Sequence, residues 1–128
     1  MKLLLDTHAF LWFVTNDKRL SVSARLLIAN TVLVYVSMAS LAEICIKVGI
    51  GKLELPEPVE SFVLSQLMLN RFQILPITPA HAFGLAQLPQ HHKDPFDRIL
   101  VVQSNLEGMQ LVSVDGGLDQ YEGINRLW

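Results

Sequence analysis

Short apolar runs alternate along this chain with longer stretches in which apolar residues recur every three or four positions. The runs predict buried strands over residues 2–5, 32–36, 73–77 and 109–114, and a last short edge strand over 124–128. The stretches predict helices over 7–14, 21–30 and 40–49, from Pro56 and Pro58 through Asn70, from Thr78 to Leu88, and from Asp94 to about Glu107. Their ends carry their own signals. Ser21, Thr78 and Asp94 can cap, Pro79 and Pro95 suit the first helical position, and Gly49, Gly51 and Gly108 can stop a helix. Gly116-Gly117 reads as a turn. Strands separated by helices imply a parallel sheet with helices on both faces, because parallel neighbours need a crossover. No repeat, linker or low-complexity tract interrupts the pattern, so 128 residues are read as one α/β domain, residues 1–128.

Composition narrows the class. Hydrophobic residues make up 51% and charged ones 17%, which describes a core-rich globular chain. Mean hydropathy of +0.36 is high for so small a domain, and suggests apolar surface covered by a partner or a second copy. The longest charge-free apolar stretch, residues 26–42, is broken by Asn30, Thr31, Ser37 and Ser40, so no membrane span is expected. Asp6 and His8 interrupt the apolar start too early for a signal peptide. The single cysteine, Cys45, excludes an internal disulfide and a cysteine-based zinc site. Between Ile44 and Ile46 it is expected to be a buried thiol, and a cytoplasmic location is expected. A net charge of −2 is not the footprint of a protein that coats nucleic acid, so any nucleic-acid chemistry needs metal ions or a local basic rim.

The acids carry the chemistry. Asp6 sits at the end of the first strand, Glu43 lies in the first turn of the helix after the second, Asp97 sits in the first turn after Asp94, and Asp115 follows the strand over 109–114. Open α/β sheets bind ligands at the carboxyl ends of their strands. Three of these acids fall at that rim, and Asp97 reaches it from a helix start. Converging carboxylates repel unless cations neutralise them. Oxygen donors suit Mg²⁺ or Mn²⁺, and two such ions can activate a water and stabilise a leaving oxygen in phosphodiester hydrolysis. Each acid also has a plainer use. Asp6 can cap the helix from Thr7, Glu43 can pair with Lys47 at i,i+4, Asp97 can complement the helix dipole, and Asp115 can belong to an Asp-Gly turn. Asp94, directly before Pro95, reads as the cap.

Four blocks together resemble a known family: residues 4–12 (Leu-Leu-Asp-Thr-His-Ala-Phe-Leu-Trp), 40–47 (Ser-Leu-Ala-Glu-Ile-Cys-Ile-Lys), 94–100 (Asp-Pro-Phe-Asp-Arg-Ile-Leu) and 111–115 (Leu-Val-Ser-Val-Asp). In order and spacing they are similar to the PIN-domain proteins, and more narrowly to the VapC toxins of bacterial type II toxin–antitoxin pairs. The resemblance implies a PIN-like three-layer sandwich with a central, mostly parallel twisted sheet. It implies Mg²⁺- or Mn²⁺-dependent endoribonuclease activity, with Asp6, Glu43, Asp97 and Asp115 as the catalytic, metal-holding acids. Ser113 would be the small hydroxyl near the fourth acid. It also implies an RNA substrate, an inhibiting VapB-like antitoxin and a homodimer. Ala42 and Val114 depart from the usual aromatic and polar residues of close relatives; neither removes an acid. A non-toxin PIN nuclease of RNA processing, or a non-catalytic module whose acids only bind a partner, remain alternatives.

Other constellations add less. Adjacent His91 and His92 are expected to lie in a solvated loop that helps grip phosphates, not to bind zinc. Lys47, Lys52, Lys93 and Arg98 could form a basic rim. Phe10, Leu11, Trp12 and Phe13 could be a partner surface, with core packing accounting for some of them. A phospho-accepting receiver domain would need a lysine after the last long strand, and the last lysine here is Lys93. Gly51-Lys52 lacks the first glycine and the hydroxyl of a phosphate loop, and no Gly-x-Ser-x-Gly elbow exists.

Overall fold

The structure, a computed structural model, describes residues Met1–Trp128. Five parallel strands, β1 (Lys2–Leu5), β2 (Leu33–Ser37), β3 (Gln73–Leu75), β4 (Gln110–Val112) and β5 (Arg126–Leu127), form one sheet in the order β3-β2-β1-β4-β5. Six helices connect them: α1 (Thr7–Val14), α2 (Val22–Asn30), α3 (Met38–Gly49), α4 (Val59–Asn70), α5 (Pro79–Gly84) and α6 (Pro95–Glu107). Strand alternation builds a core on each face of the sheet. Leu3 and Leu5 of β1, Val34 and Val36 of β2 and Val112 of β4 enter one core, where they meet Phe10 of α1, Ile28 of α2, Ile44 of α3 and Phe62 of α4. Leu4 and Leu111 point the other way, against Leu100 and Val101 of α6, with Tyr121. Helices therefore cover both faces, and the sheet is parallel throughout.

The helix ends follow their capping chemistry. Asp6, Ser21 and Thr78 accept the third amide of α1, α2 and α5, and Thr78 shares a reciprocal capping box with His81. Gly108 ends α6 in the left-handed conformation, φ 64°. Several boundaries differ from the sequence reading: β3, β4 and β5 are shorter than expected, and α4 starts at Val59, after Pro56 and Pro58. Ser37, not Ser40, opens α3: its hydroxyl accepts from the Ala39 amide, so the chain turns from β2 into helix without a loop, and Glu43 falls in the second turn, not the first. The helix from Thr78 breaks after Gly84 into a 3-10 turn over Leu85–Gln87. Gly116 and Gly117 begin a 3-10 turn that runs to Gln120.

Two burial expectations also change. Cys45 is exposed, because α3 turns Glu43 and Ile44 inward and its 100° step carries Ala42, Cys45 and Ile46 to the outer arc. Arg98 is buried, and its guanidinium donates to the Leu85, Leu88 and Pro89 carbonyls, so it braces the loop before α6 and is no part of a basic rim. Phe10 and Leu11 are core residues, while Trp12 and Phe13 are half-buried at its edge. No helix is long and apolar enough to cross a membrane.

Candidate metal centre

β1 lies at the middle of the sheet, between β2 and β4, so the chain leaves it toward opposite sides. A crevice opens at such a switch point, beyond the carboxyl ends of the strands. Here Asp6, Glu43, Asp97 and Asp115 line one hollow of about 270 Å³, together with Thr7, His8, Lys47, Asp94 and Val114. Five carboxylates thus face one ammonium among the lining residues.

Each acid is held by its local structure. Asp6 follows β1 and its Oδ1 accepts the Ala9 amide at 2.7 Å, so it is both helix cap and pocket wall. Glu43 is buried on α3; its Oε1 accepts from the Thr7 hydroxyl and its Oε2 from the Lys47 ammonium, both at 2.7 Å. The i,i+4 pair with Lys47 therefore exists, but it lines the hollow and does not decorate an exposed face. Asp94 is the cap of α6, accepting from the Phe96 amide at 2.8 Å, which leaves Asp97 free in the first turn. Asp115 caps the following 3-10 turn through Gly117 N, 2.9 Å from its Oδ1. The plain and the chemical uses coincide in the same side chains.

Electrostatics show what the arrangement costs. Burial, then the neighbouring Asp94, Asp6 and Glu43, push the Asp97 carboxyl up to about 7, opposed only by His92. Burial also raises Asp6, against hydrogen bonds from the Ser113 hydroxyl and the Ala9 amide and the charge of His8. A divalent cation would remove this repulsion, and oxygen donors from Asp6, Glu43, Asp97 and Asp115 suit a hard ion.

The neighbours of the acids take parts that the sequence showed only in outline. Thr7 simply follows Asp6, yet it orients Glu43. Ser113 is fully buried, and its Oγ accepts the Asp115 amide at 3.1 Å. His92 does not lie free in a solvated loop: its Nε2 stands 2.9 Å from Asp115 Oδ2 and its Nδ1 3.2 Å from the Tyr121 hydroxyl. Donor atoms of His92, Asp97 and Asp115 lie within 4.8 Å of one another. Lys52 lines a neighbouring groove that shares Thr7, His8 and Lys47 with the acidic hollow.

Comparison with known proteins places this geometry. A family model described as PIN domain matches residues 3–124. No curated protein is similar enough in sequence to count as a relative. Among solved structures, the chain is similar to one in VapBC2 from Rickettsia felis bound to a promoter DNA fragment, with 17% identity over 99% of this chain and 98% of that one, TM-score 0.73. It is likewise similar to a chain of DNA-bound VapBC from Salmonella typhimurium (19% identity, 99% and 97% covered, TM-score 0.73). A third is in FitAcB from Neisseria gonorrhoeae (17% identity, 98% and 96% covered, TM-score 0.70). At these identities the likeness is one of fold.

Proposed function

Because the chain belongs to the PIN domain family, we propose that it is a metal-dependent endoribonuclease, the toxin of a VapBC-type pair, built as one PIN domain over its whole length. The observation that carries this reading is the convergence of Asp6, Glu43, Asp97 and Asp115 on one hollow, with Asp97 pushed up to about 7. A purely structural acid cluster would gain nothing from that repulsion, whereas a cation site uses it. When bound, Mg²⁺ or Mn²⁺ supplies the Lewis acidity that hydrolysis of an RNA phosphodiester needs.

The chain's own residues have separable parts. Asp6, Asp97 and Asp115 present oxygens toward the hollow from three different elements. Glu43, fixed by Thr7 and Lys47, adds a fourth whose orientation is set before anything binds. Lys47 is the one Lys or Arg among the lining residues and offers a positive charge to a phosphate at the mouth of the hollow. The neighbouring groove, with Lys52 and Arg19, gives a strand leaving the hollow a partly basic path.

The partner follows from the surface. Leu64, Met68 and Leu69 on α4 and Val22, Leu26 and Val32 around α2 are exposed. An apolar hollow of about 380 Å³ opens between α3 and α4, lined by Leu41, Cys45, Val59, Val63 and Leu64. Such surface suits a VapB-like antitoxin and a second copy of the chain. The structures it resembles include VapBC complexes, which supports this partner.

The test is cleavage of RNA by the purified chain in Mn²⁺, with chelator and Asp97→Asn as controls. Cleavage abolished by both is the expected result. Cleavage that persists in chelator or in the variant would overturn the metal-site assignment, and no cleavage of any RNA would favour a binding module.

A further inference from the structure

We propose that His92 and Tyr121 are positioning residues that hold Asp115 ready for the cation; the inference rests on the metal-dependent reading above. Asp115 needs such help. Its side chain is about half exposed, and it caps a short 3-10 turn after β4, outside any strand or α-helix itself. A free carboxylate there would sample several rotamers and lose entropy on binding.

The structure clamps both of its oxygens. The Gly117 amide donates to Oδ1 at 2.9 Å, and the His92 ring meets Oδ2 at 2.9 Å. Glycine at 117 leaves room for this closeness. A Cβ there would lie 3.0 Å from Asp115 Oδ1 and 3.5 Å from the His92 ring. The imidazole is itself fixed. Tyr121 is buried in the second core, and its hydroxyl reaches Nδ1 at 3.2 Å. The two rings lie 5.5 Å apart at a shallow tilt, and His91 closes on Tyr121 edge-on at 4.9 Å.

Hydrogen-bond chemistry then engages both ring nitrogens. An ionised Asp115 can only accept, so Nε2 donates to it; with the imidazole neutral, Nδ1 accepts from the Tyr121 O–H, and with it charged, Nδ1 donates to the same hydroxyl. Both ring nitrogens are spent within the chain. His92 is therefore not a base for the substrate, and acts through Asp115. One lone pair on each Asp115 oxygen stays available to a cation. A hydrogen-bonded partner of this kind sets the direction and basicity of a ligating carboxylate.

The test is Mn²⁺ binding, read by the loss of the free-ion electron paramagnetic resonance signal, in wild type, His92→Ala, His92→Gln and Tyr121→Phe. His92→Ala should bind Mn²⁺ about 10- to 100-fold more weakly. His92→Gln, whose amide N–H can replace Nε2–H, should recover most of that loss. Tyr121→Phe keeps the ring packing and should show a smaller loss, and it stays informative if His92→Ala fails to fold. Affinity of all three variants within twofold of wild type would overturn the proposal while leaving the metal site standing. Nitrogen modulation from a directly bound imidazole in the Mn²⁺ spectrum would also overturn it. A wild-type chain that binds no Mn²⁺ would remove the metal reading and this proposal together.

Discussion

Replacing Asp97 by asparagine should stabilise the protein in chelator while removing its response to metal. The magnitude follows from the carboxyl being pushed up to about 7 by burial and by Asp94, Asp6 and Glu43. An unfolded aspartate titrates near 3.9, so the shift of about three units is worth up to about 4 kcal/mol. Asp97 is only half-buried, and solvent screening reduces that figure to about 2 kcal/mol. Losing a negative charge in the first turn of α6 returns roughly 0.5 kcal/mol, because the helix dipole favours an acid there. The net gain is about 1.5 kcal/mol, or about 5 °C in Tm for a domain of this size. The sign depends on pH. Between about 4 and 7 the folded state holds more protons than the unfolded one, so wild-type stability falls as pH rises. Below about 4 the carboxyl is neutral in both states and the penalty is gone; above about 7 it is complete. Thermal melts in chelator at pH 4 and pH 8 should show the two proteins alike at the lower pH and the variant ahead at the higher. Added Mn²⁺ should then raise wild type alone. A variant no more stable than wild type at pH 8, or one that gains equally from Mn²⁺, would refute the reasoning.

Three further outcomes follow from the same geometry. Mn²⁺ affinity should fall about tenfold for each pH unit below about 7, since the ion must displace the proton that Asp97 holds; calorimetry in two buffers would register the released proton, and a flat profile would contradict it. Asp94→Ala should cost about 1 kcal/mol of stability through the lost cap but keep Mn²⁺ binding, because Asp94 accepts the Phe96 and Asp97 amides and serves as cap; loss of binding with Tm unchanged would make Asp94 a ligand. Arg98→Met should cost about 2–3 kcal/mol in chemical denaturation, as it strands the Leu85, Leu88 and Pro89 carbonyls; a loss of RNA affinity with full stability would restore Arg98 to a basic rim.

The element order was legible because each signal was local. The apolar run Leu3-Leu4-Leu5, the Thr78-Pro79 and Asp94-Pro95 starts and the Gly108 stop depend on residues within one turn. The four acids were legible as a set because strand ends and helix starts share one rim, and because their blocks resemble a family. What sequence could not carry was which side of an element faces in. Cys45 follows buried Ile44 yet points outward, and Arg98 follows Asp97 yet turns away from the hollow to brace a loop. Contacts between distant segments were also invisible. His92 meets Tyr121 and Asp115 only when the loop before α6 folds over the turn after β4. The competing uses of an acid are alternatives in sequence, but folding makes them compatible: Asp6 caps α1 and lines the hollow with the same carboxylate.

The most direct test of the central claim is cleavage of a defined single-stranded RNA by the purified chain, followed by mapping of the product ends. The account predicts internal cuts that require Mn²⁺ or Mg²⁺, vanish in chelator and vanish in Asp97→Asn while that variant stays folded. Cuts that survive without divalent metal, or equal cleavage by the variant, would contradict it.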